Sequence, residues 1–357
     1  MKRGVGGRYE MQNIHGEMVK AFVPIPLPPV PPVDLSGNRQ RALERALVAL
    51  GRLDSISTLL PDPLLFLYAY VRREALLSAQ IEGTQSSLSD LLLFELEETP
   101  GVPVDDVREV SNYVAALDHG VARLKADFPL SNRLVREMHA LLLHKGRGSE
   151  KTPGEFRHSQ NWIGGTRPGN AHFVPSPAAS IEDCMAAWER FLHDGTQPAL
   201  IKAALAHVQF ETIHPFLDGN GRLGRLFIAL ILHHEHLLSQ PLLYLSLYFK
   251  RQRSEYYRLL DVVRLEGDWE AWIDFFLEGV AQTAGEAVST AQRLFALHRE
   301  DTERLQSMKG SSSALKVYTT MKERPMTTLS EASKRSGLSF PAVAKGMNAL
   351  MRAGIVR

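Results

Sequence analysis

Cysteine is almost missing from this chain: Cys184 is the sole thiol among 357 residues. One thiol cannot build an internal disulfide framework, and its isolation fits a reducing cytoplasm. Long apolar runs are missing too, so no segment is predicted to span a bilayer. The first twenty residues mix charge with glycine where a signal peptide would carry an apolar stretch. Neither sign of charge dominates, because 41 basic residues face 40 acidic ones, and the chain as a whole has no pull toward nucleic acid. These absences predict a soluble, cytoplasmic protein without a membrane partner. Its length is enough to bury a full core and two or three domains.

What is present is mostly helical periodicity. Residues 1–40 read as a loop-like, proline-rich arm, with Pro24, Pro26, Pro28, Pro29, Pro31 and Pro32 making an extended strand of chain over its own domain. From about Arg39 the pattern predicts helices over 40–53, 63–81, 86–95, 104–126, 131–144, 178–193, 198–212, 221–237, 253–265 and 268–307. The last is long for a globular helix and is expected to be interrupted. No internal repeat is visible. The fold class is therefore all-α, with one hairpin near 154–175 where glycine and short aromatic runs break the pattern. The expected divisions are the arm at 1–40, a helical region at 41–125, a core at 126–308 and a small module at 309–357.

The most informative segment is His214-Pro215-Phe216-Leu217-Asp218-Gly219-Asn220-Gly221-Arg222-Leu223-Gly224-Arg225, followed directly by the apolar run Leu226–Leu232. A polar loop leading into a buried helix aims unpaired N–H groups and a positive dipole end at whatever the loop holds, which suits phosphate. Gly219–Gly224 also satisfies a G-x-G-x-x-G pattern, but Pro198–Phe210 ahead of it reads as helix rather than strand, so a dinucleotide fold is rejected. An EF-hand fails because Arg222 and Leu223 stand where a ligand and a glycine are needed. His214 is the motif's one group that can act as a base near neutral pH. Asp218 offers the hard oxygen that Mg²⁺ prefers. Gly219, Asn220 and Gly221 allow close backbone approach to phosphate, and Arg222 and Arg225 can clamp it. Phe216 reads as an anchor that buries the loop.

These twelve residues resemble the signature of the Fic family, H-x-F-x-D/E-G-N-G-R-x-x-R, at all eight specified positions. The resemblance implies a helical core with a β-hairpin flap, and transfer of AMP from ATP to a Ser, Thr or Tyr hydroxyl of a protein. It implies His214 as catalytic base, Asp218 as Mg²⁺ ligand and Gly219, Asn220, Gly221, Arg222, Leu223, Gly224 and Arg225 as the ATP-binding run, with Arg225 at the γ-phosphate. Transfer of UMP or phosphate, or removal of AMP, are alternatives at the same site.

Three further segments extend the resemblance, which covers roughly residues 60–280. Ser78-Ala79-Gln80-Ile81-Glu82-Gly83 resembles the inhibitory motif S/T-x-x-x-E-G/N, which implies that Ser78, Glu82 and Gly83 set a glutamate against Arg225 and withhold it from ATP. Gly154–Pro175 is similar to the family's flap, whose edge accepts a target segment as an added strand. The pair Tyr256-Tyr257 resembles segments that line the adenine pocket, and Tyr257 is the stacking candidate. His233-His234-Glu235-His236 reads as a helix end rather than a zinc site.

Between Lys309 and Arg357 there are nine basic and two acidic residues, so this module is +7 and the rest is −6. Thr328–Leu338 predicts a short helix with a glycine turn, and Ser339 caps a second helix through Leu350. The layout resembles a winged-helix module, apparently truncated at Gly354-Ile355-Val356-Arg357, where a β-wing would begin. ATP and a target protein are the expected partners. Self-modification, a homodimer and a DNA-binding regulator acting through 328–354 stay open.

Overall fold

The computed structural model describes residues 1–59, 64–85, 87–88, 91–92, 104–308, 312–323 and 326–356. The arm is the first departure from expectation. Instead of loop, it forms an antiparallel hairpin of β1 (Gly7–Ile14) and β2 (Glu17–Pro24), in register from Gly7↔Pro24 to Ile14↔Glu17. His15 and Gly16 turn the chain with φ of 51° and 85°, the left-handed pair that a two-residue hairpin loop demands. The Asn13 side chain accepts from the Gly16 N–H at 3.0 Å. The turn is His-Gly rather than the usual Asn-Gly, and although β1 alternates from Arg8 to Gln12, Met18-Val19 and Ala21-Phe22-Val23 put apolar side chains on both faces of β2. Beyond β2 the proline run lies over its own domain, where Leu27 and Val33 pack against the main core and the Asp34 N–H donates to Glu270.

Helices then dominate. α1 (Asn38–Leu59) lies along α10 (Trp269–Gln306), while α2 (Leu64–Ile81) packs against α3 (Val104–Lys125), which pairs with α4 (Asn132–Leu142). α5 (Ile181–Leu192) covers α6 (Ala199–Ile213), and α6 packs on α7 (Asn220–His234). α6 is buried on every side from Leu200 to Ile213, and α7 nearly so, as a helix at the centre of a core must be. α8 (Ser246–Arg251) packs against α2, where Ser246 bonds to Glu74, and α9 (Arg253–Glu266) packs against α6 and α10. One hydrophobic core runs from Ala46 on α1 to Ala291 on α10.

α10 is continuous over 38 residues, where an interruption was expected. Its first half buries Trp272, Ile273, Phe276 and Val280 in the main core, and its last turn gives Leu305 to a second, smaller core. Burial at both ends explains why the helix runs unbroken. The second core belongs to α11 (Ser312–Glu323), α12 (Leu329–Ser336) and α13 (Phe340–Arg352), joined through Ala314, Val317, Ala332, Val343 and Leu350. Thr328 caps α12 by accepting from the Glu331 N–H, and Gly337 makes the left-handed turn at φ 66°. Ser339 stands at the start of α13 but its hydroxyl makes no cap bond. The helix expected at 86–95 and the linker at 309–311 lie largely outside the described residues. Among the described residues no helix is long and apolar enough to cross a membrane.

Candidate active site

The site begins where α6 stops. His214 takes a left-handed conformation, φ 52° and ψ 63°, and its N–H closes the last turn onto the Phe210 carbonyl at 2.9 Å. The loop that follows is braced from inside. Asn220 accepts from the Phe216 N–H and donates to the Phe216 carbonyl, both at 2.9 Å. Phe216 is fully buried and stacks on His139 at 3.7 Å between ring centroids. His139 Nδ1 accepts from the Gly154 N–H at 2.8 Å, so its proton sits on Nε2, which donates to the Asp218 carbonyl at 3.0 Å. Burial pushes the His139 pKa down to about 4, leaving a neutral spacer.

Arg157 braces the loop from the other side. Its Nε donates to the His214 carbonyl at 2.9 Å, and further N–H groups reach the carbonyls of Ser159 and Ser176. Asn161 adds a bond to the Phe216 carbonyl at 3.1 Å. The start of the 154–175 segment is thus tied to the motif. The segment itself is irregular, with one bridge between Ile163 and Phe173 and a short 3₁₀ turn at Pro168–Asn170.

The N-terminus of α7 is occupied from above. Gly219, at φ 79°, starts the helix, and a Cβ on Gly221 would collide with the Glu82 carboxylate. Glu82 follows the last turn of α2, which ends as Gly83 swings to φ 101°. Arg225 donates to Glu82 Oε1 at 2.8 Å, to Ser78 Oγ at 3.0 Å and to the Ser78 carbonyl at 2.9 Å. Burial opposes the Arg225 charge, but Glu82, with Tyr256 and Glu211, outweighs it and holds the guanidinium above its ordinary pKa. Ser78, Glu82 and Arg225 therefore come together as the sequence pattern anticipates.

The second arginine does not follow expectation. Arg222 is buried, paired with Glu109 of α3 and with Asp218 Oδ1 at 3.2 Å. Thr84 in turn donates to the other Glu109 oxygen at 2.7 Å. A guanidinium so engaged braces α3 and the loop rather than opening toward a ligand. Leu223 is fully buried in the core, so its side chain faces no ligand. Gly224 is a close-packing contact: a Cβ there would lie 2.8 Å from Glu211 Oε1 on α6. The Asn220 side chain is spent on the loop itself.

A cavity of about 410 Å³ opens beside Glu82, His214, Gly221 and Arg225. The flap supplies Ile163, His172 and Phe173 to its walls, and α9 supplies Arg253, Tyr257, Asp261 and Arg264. A larger groove of about 720 Å³ between α1 and α10 touches none of the motif residues. Tyr256 hydrogen-bonds His207 at 2.9 Å within the core, and Tyr257, 37 % exposed, is the ring that faces out.

Desolvation, then Arg157 and Arg264, lower the His214 pKa to about 3, so the imidazole is neutral. Its Nδ1 is buried beside the Glu211 backbone, and the residue lines the cavity. Glu211 is pushed up to about 7 by burial, against the pull of Arg225. Arg264 lies 3.9 Å over the Phe173 ring and donates to Asp261 and Thr212. Sequence reading passed over His139, Glu109 and Arg264. None stands in a motif, and only their distant partners give them a role. Arg157 was visible in the flap segment, but without a function.

Asp218 keeps a side chain 32 % exposed, with Oδ1 held by the Gly219 N–H at 2.6 Å. Oδ2 lies against Gly148, where an added Cβ would stand 2.8 Å away. Among the described residues no group of three or more His, Cys, Asp or Glu is arranged to hold a metal. A single carboxylate still fits Mg²⁺, which takes its remaining ligands from phosphate and water.

The Fic/DOC family N-terminal domain matches residues 40–122 and the Fic/DOC family domain matches residues 129–232, together just over half of the chain. The chain is 29 % identical over 211 residues to the protein adenylyltransferase Fic of Drosophila melanogaster, covering 58 % of this chain and 40 % of that protein. The Drosophila virilis protein of the same name is 28 % identical over 210 residues. The chain thus spans about two-fifths of the length of the curated relatives it matches. The fold is shared with a Fic family protein from Desulfovibrio desulfuricans G20, at a TM-score of 0.59, 21 % identity and coverage of 90 % and 91 % of the two chains. Fic-1 from C. elegans aligns at a TM-score of 0.55 and 23 % identity over 72 % of each chain. With its glycine bend, its histidine and its glutamate-clasped arginine in one cavity, this chain belongs to the Fic/DOC family.

Proposed function

We propose that the chain is a protein adenylyltransferase that moves AMP from ATP to a hydroxyl side chain of a protein, restrained by Glu82. The observation that carries this reading is the Glu82–Arg225 clasp over Gly221, in the same cavity as a neutral His214. A carboxylate already sits where the helix N-terminus and a guanidinium attract an anion, and ATP supplies the stronger one. The phosphates would lie on the N–H groups of Gly219–Gly221, with Arg225 on the outermost and Tyr257 against the base.

In the reaction, the target oxygen bonds to the α-phosphorus and its proton passes to His214. The bond from the α-phosphorus to the bridging oxygen breaks, and pyrophosphate leaves. Neutral His214 can take that proton, and Arg157 holds its backbone in place. Asp218 would hold Mg²⁺, which when bound neutralises charge on the phosphates. Glu82 opposes transfer by withholding Arg225 from the outer phosphate. The flap edge between Ile163 and Phe173 would present the target backbone.

Intact-mass analysis of the Glu82→Gly variant with Mg²⁺-ATP tests this reading. The expected result is a mass gain of one adenylyl group on the protein itself or on added target, absent from the Glu82→Gly, His214→Ala double variant. Gain of a uridylyl or phosphoryl group from other nucleotides, with none from ATP, would replace it.

A further inference from the structure

The N-terminal hairpin has an outer face on which, among the described residues, Phe22 is buried while several other apolar side chains stay exposed. The register puts Tyr9 opposite Phe22, Met11 opposite Lys20 and Asn13 opposite Met18, all on one side. The other side is buried through Val19 and Ala21 against Ile14 and Val174. On the outer side Tyr9, Met11 and Met18 are 45 %, 55 % and 60 % exposed, and Leu265 of α9 faces solvent at 54 %. Single exposed apolar residues are ordinary, but a cluster beside a cavity marks a surface that meets something.

That surface is held in place, not left loose. The Phe22 N–H donates to the Val174 carbonyl at 3.0 Å, so β2 is pinned to the chain leaving the flap. Phe22 packs edge-on to Tyr9 at 5.2 Å and against Phe173 at 6.1 Å. At the hairpin tip Glu17 pairs with Arg167 of the flap turn at 2.9 Å. Between hairpin, flap and α9 runs a groove of about 360 Å³ whose walls include Tyr9, Met18, Val19 and Leu265. It shares His172, Phe173, Asp261 and Arg264 with the cavity that holds His214. The His172–Asp261 contact at 2.8 Å is the strut between the two.

We propose that this groove is a second recognition subsite for the target protein, taking a large apolar side chain (Leu, Met or Phe) that flanks the modified hydroxyl. The inference rests on the adenylyltransferase reading. A polypeptide that delivers its hydroxyl to His214 must leave the cavity over an adjoining wall, and this groove continues that wall. In an extended segment alternate side chains point the same way, so one residue enters the cavity and a near neighbour enters the groove. Arg264 is already engaged by Asp261 and Thr212, and Asp261 also by His172, so with exposed Lys20 aside the groove meets a side chain through Tyr9, Met18, Phe173 and Leu265. The flexible thioether of Met18 in the groove wall adapts to side chains of several shapes.

The test uses the full-length Glu82→Gly variant with Mg²⁺-ATP and a peptide mixture, each peptide bearing one Ser, Thr or Tyr amid degenerate flanks. Labelled peptides are sequenced by mass spectrometry. Leu, Met and Phe should be enriched at a position on one side of the hydroxyl. Adding Met18→Asp should raise KM for such peptides about tenfold, with kcat and ATP affinity unchanged. Unchanged ATP affinity also certifies that the variant is folded. Even flanks, or a preference that survives Met18→Asp, would overturn the subsite. So would an enzyme that labels itself but no peptide, or a dimer that Met18→Asp dissociates. An enzyme that transfers nothing to any protein would instead sink the adenylyltransferase reading, and this subsite with it.

Discussion

Replacing Glu82 by glycine should move activity and stability in opposite directions. The carboxylate accepts from Arg225 at 2.8 Å, and the two side chains are 34 % and 2 % exposed. A fully buried pair broken on one side costs about 3–5 kcal/mol, whereas an exposed pair is worth under about 1. With one partner open to water on one side, about 1–2 kcal/mol is the fitting magnitude. Arg225 also keeps its two bonds to Ser78, so it stays in position once the carboxylate is gone. The chain should lose that 1–2 kcal/mol of stability on denaturation in urea. ATP, no longer competing with Glu82 for the guanidinium, should gain on the order of tenfold in productive binding, since 1.4 kcal/mol is a factor of ten. Incorporation of labelled AMP, followed over time in parent and variant, reads the activity. Equal rates in the two would refute the clasp as a restraint, whatever the stability does.

Three other outcomes follow from the same geometry. His214→Ala should lower transfer about 10²–10⁴-fold while calorimetry finds nucleotide binding nearly unchanged; a shared loss of both would remove its assignment as base. Arg222→Ala should cost about 3–5 kcal/mol in denaturation, because Glu109 is left buried without its partner; a variant of parental stability with only a weaker ATP affinity would return Arg222 to the phosphates. Acid should destabilise the chain. His139, His207 and His214 sit at about 4, 3 and 3 in the fold, below the ordinary 6.5, so the unfolded chain takes their protons first as pH falls. That stability is intact above pH 6.5 and is lost below it. Glu74 and Glu211, pushed up to about 7 by burial, act oppositely by holding protons in the folded chain between about 7 and 4.5. Three protons against two leave a net loss on the order of 1 kcal/mol per pH unit between about 6.5 and 4.5. A urea midpoint that is flat or rising on acidification across that window would contradict it.

Much of the site was legible because its parts are contiguous. The run from His214 to Arg225 places a base, a carboxylate and a glycine bend within one turn of a helix start, and local geometry alone brings them together. Helical periodicity likewise marked α2, α6 and α9, since burial of one face or of all faces leaves a pattern along the chain. The hairpin escaped although Arg8–Gln12 alternates, because β2 is apolar on both faces at Met18-Val19 and Ala21-Phe22-Val23 and the turn between the strands is His-Gly. α10 was expected to break because its length is unusual; that it runs on depends on two separate cores gripping its ends.

Sequence alone thus determined that a glycine bend would open a buried helix and that His214 would stand at its edge. Only the tertiary structure decided what each arginine does. Arg222 and Arg225 sit three residues apart on α7, yet one turns to Glu109 on α3 and the other to Ser78 and Glu82 at the end of α2. A guanidinium goes to the carboxylate that folding brings nearest, and those carboxylates lie more than a hundred positions away along the chain.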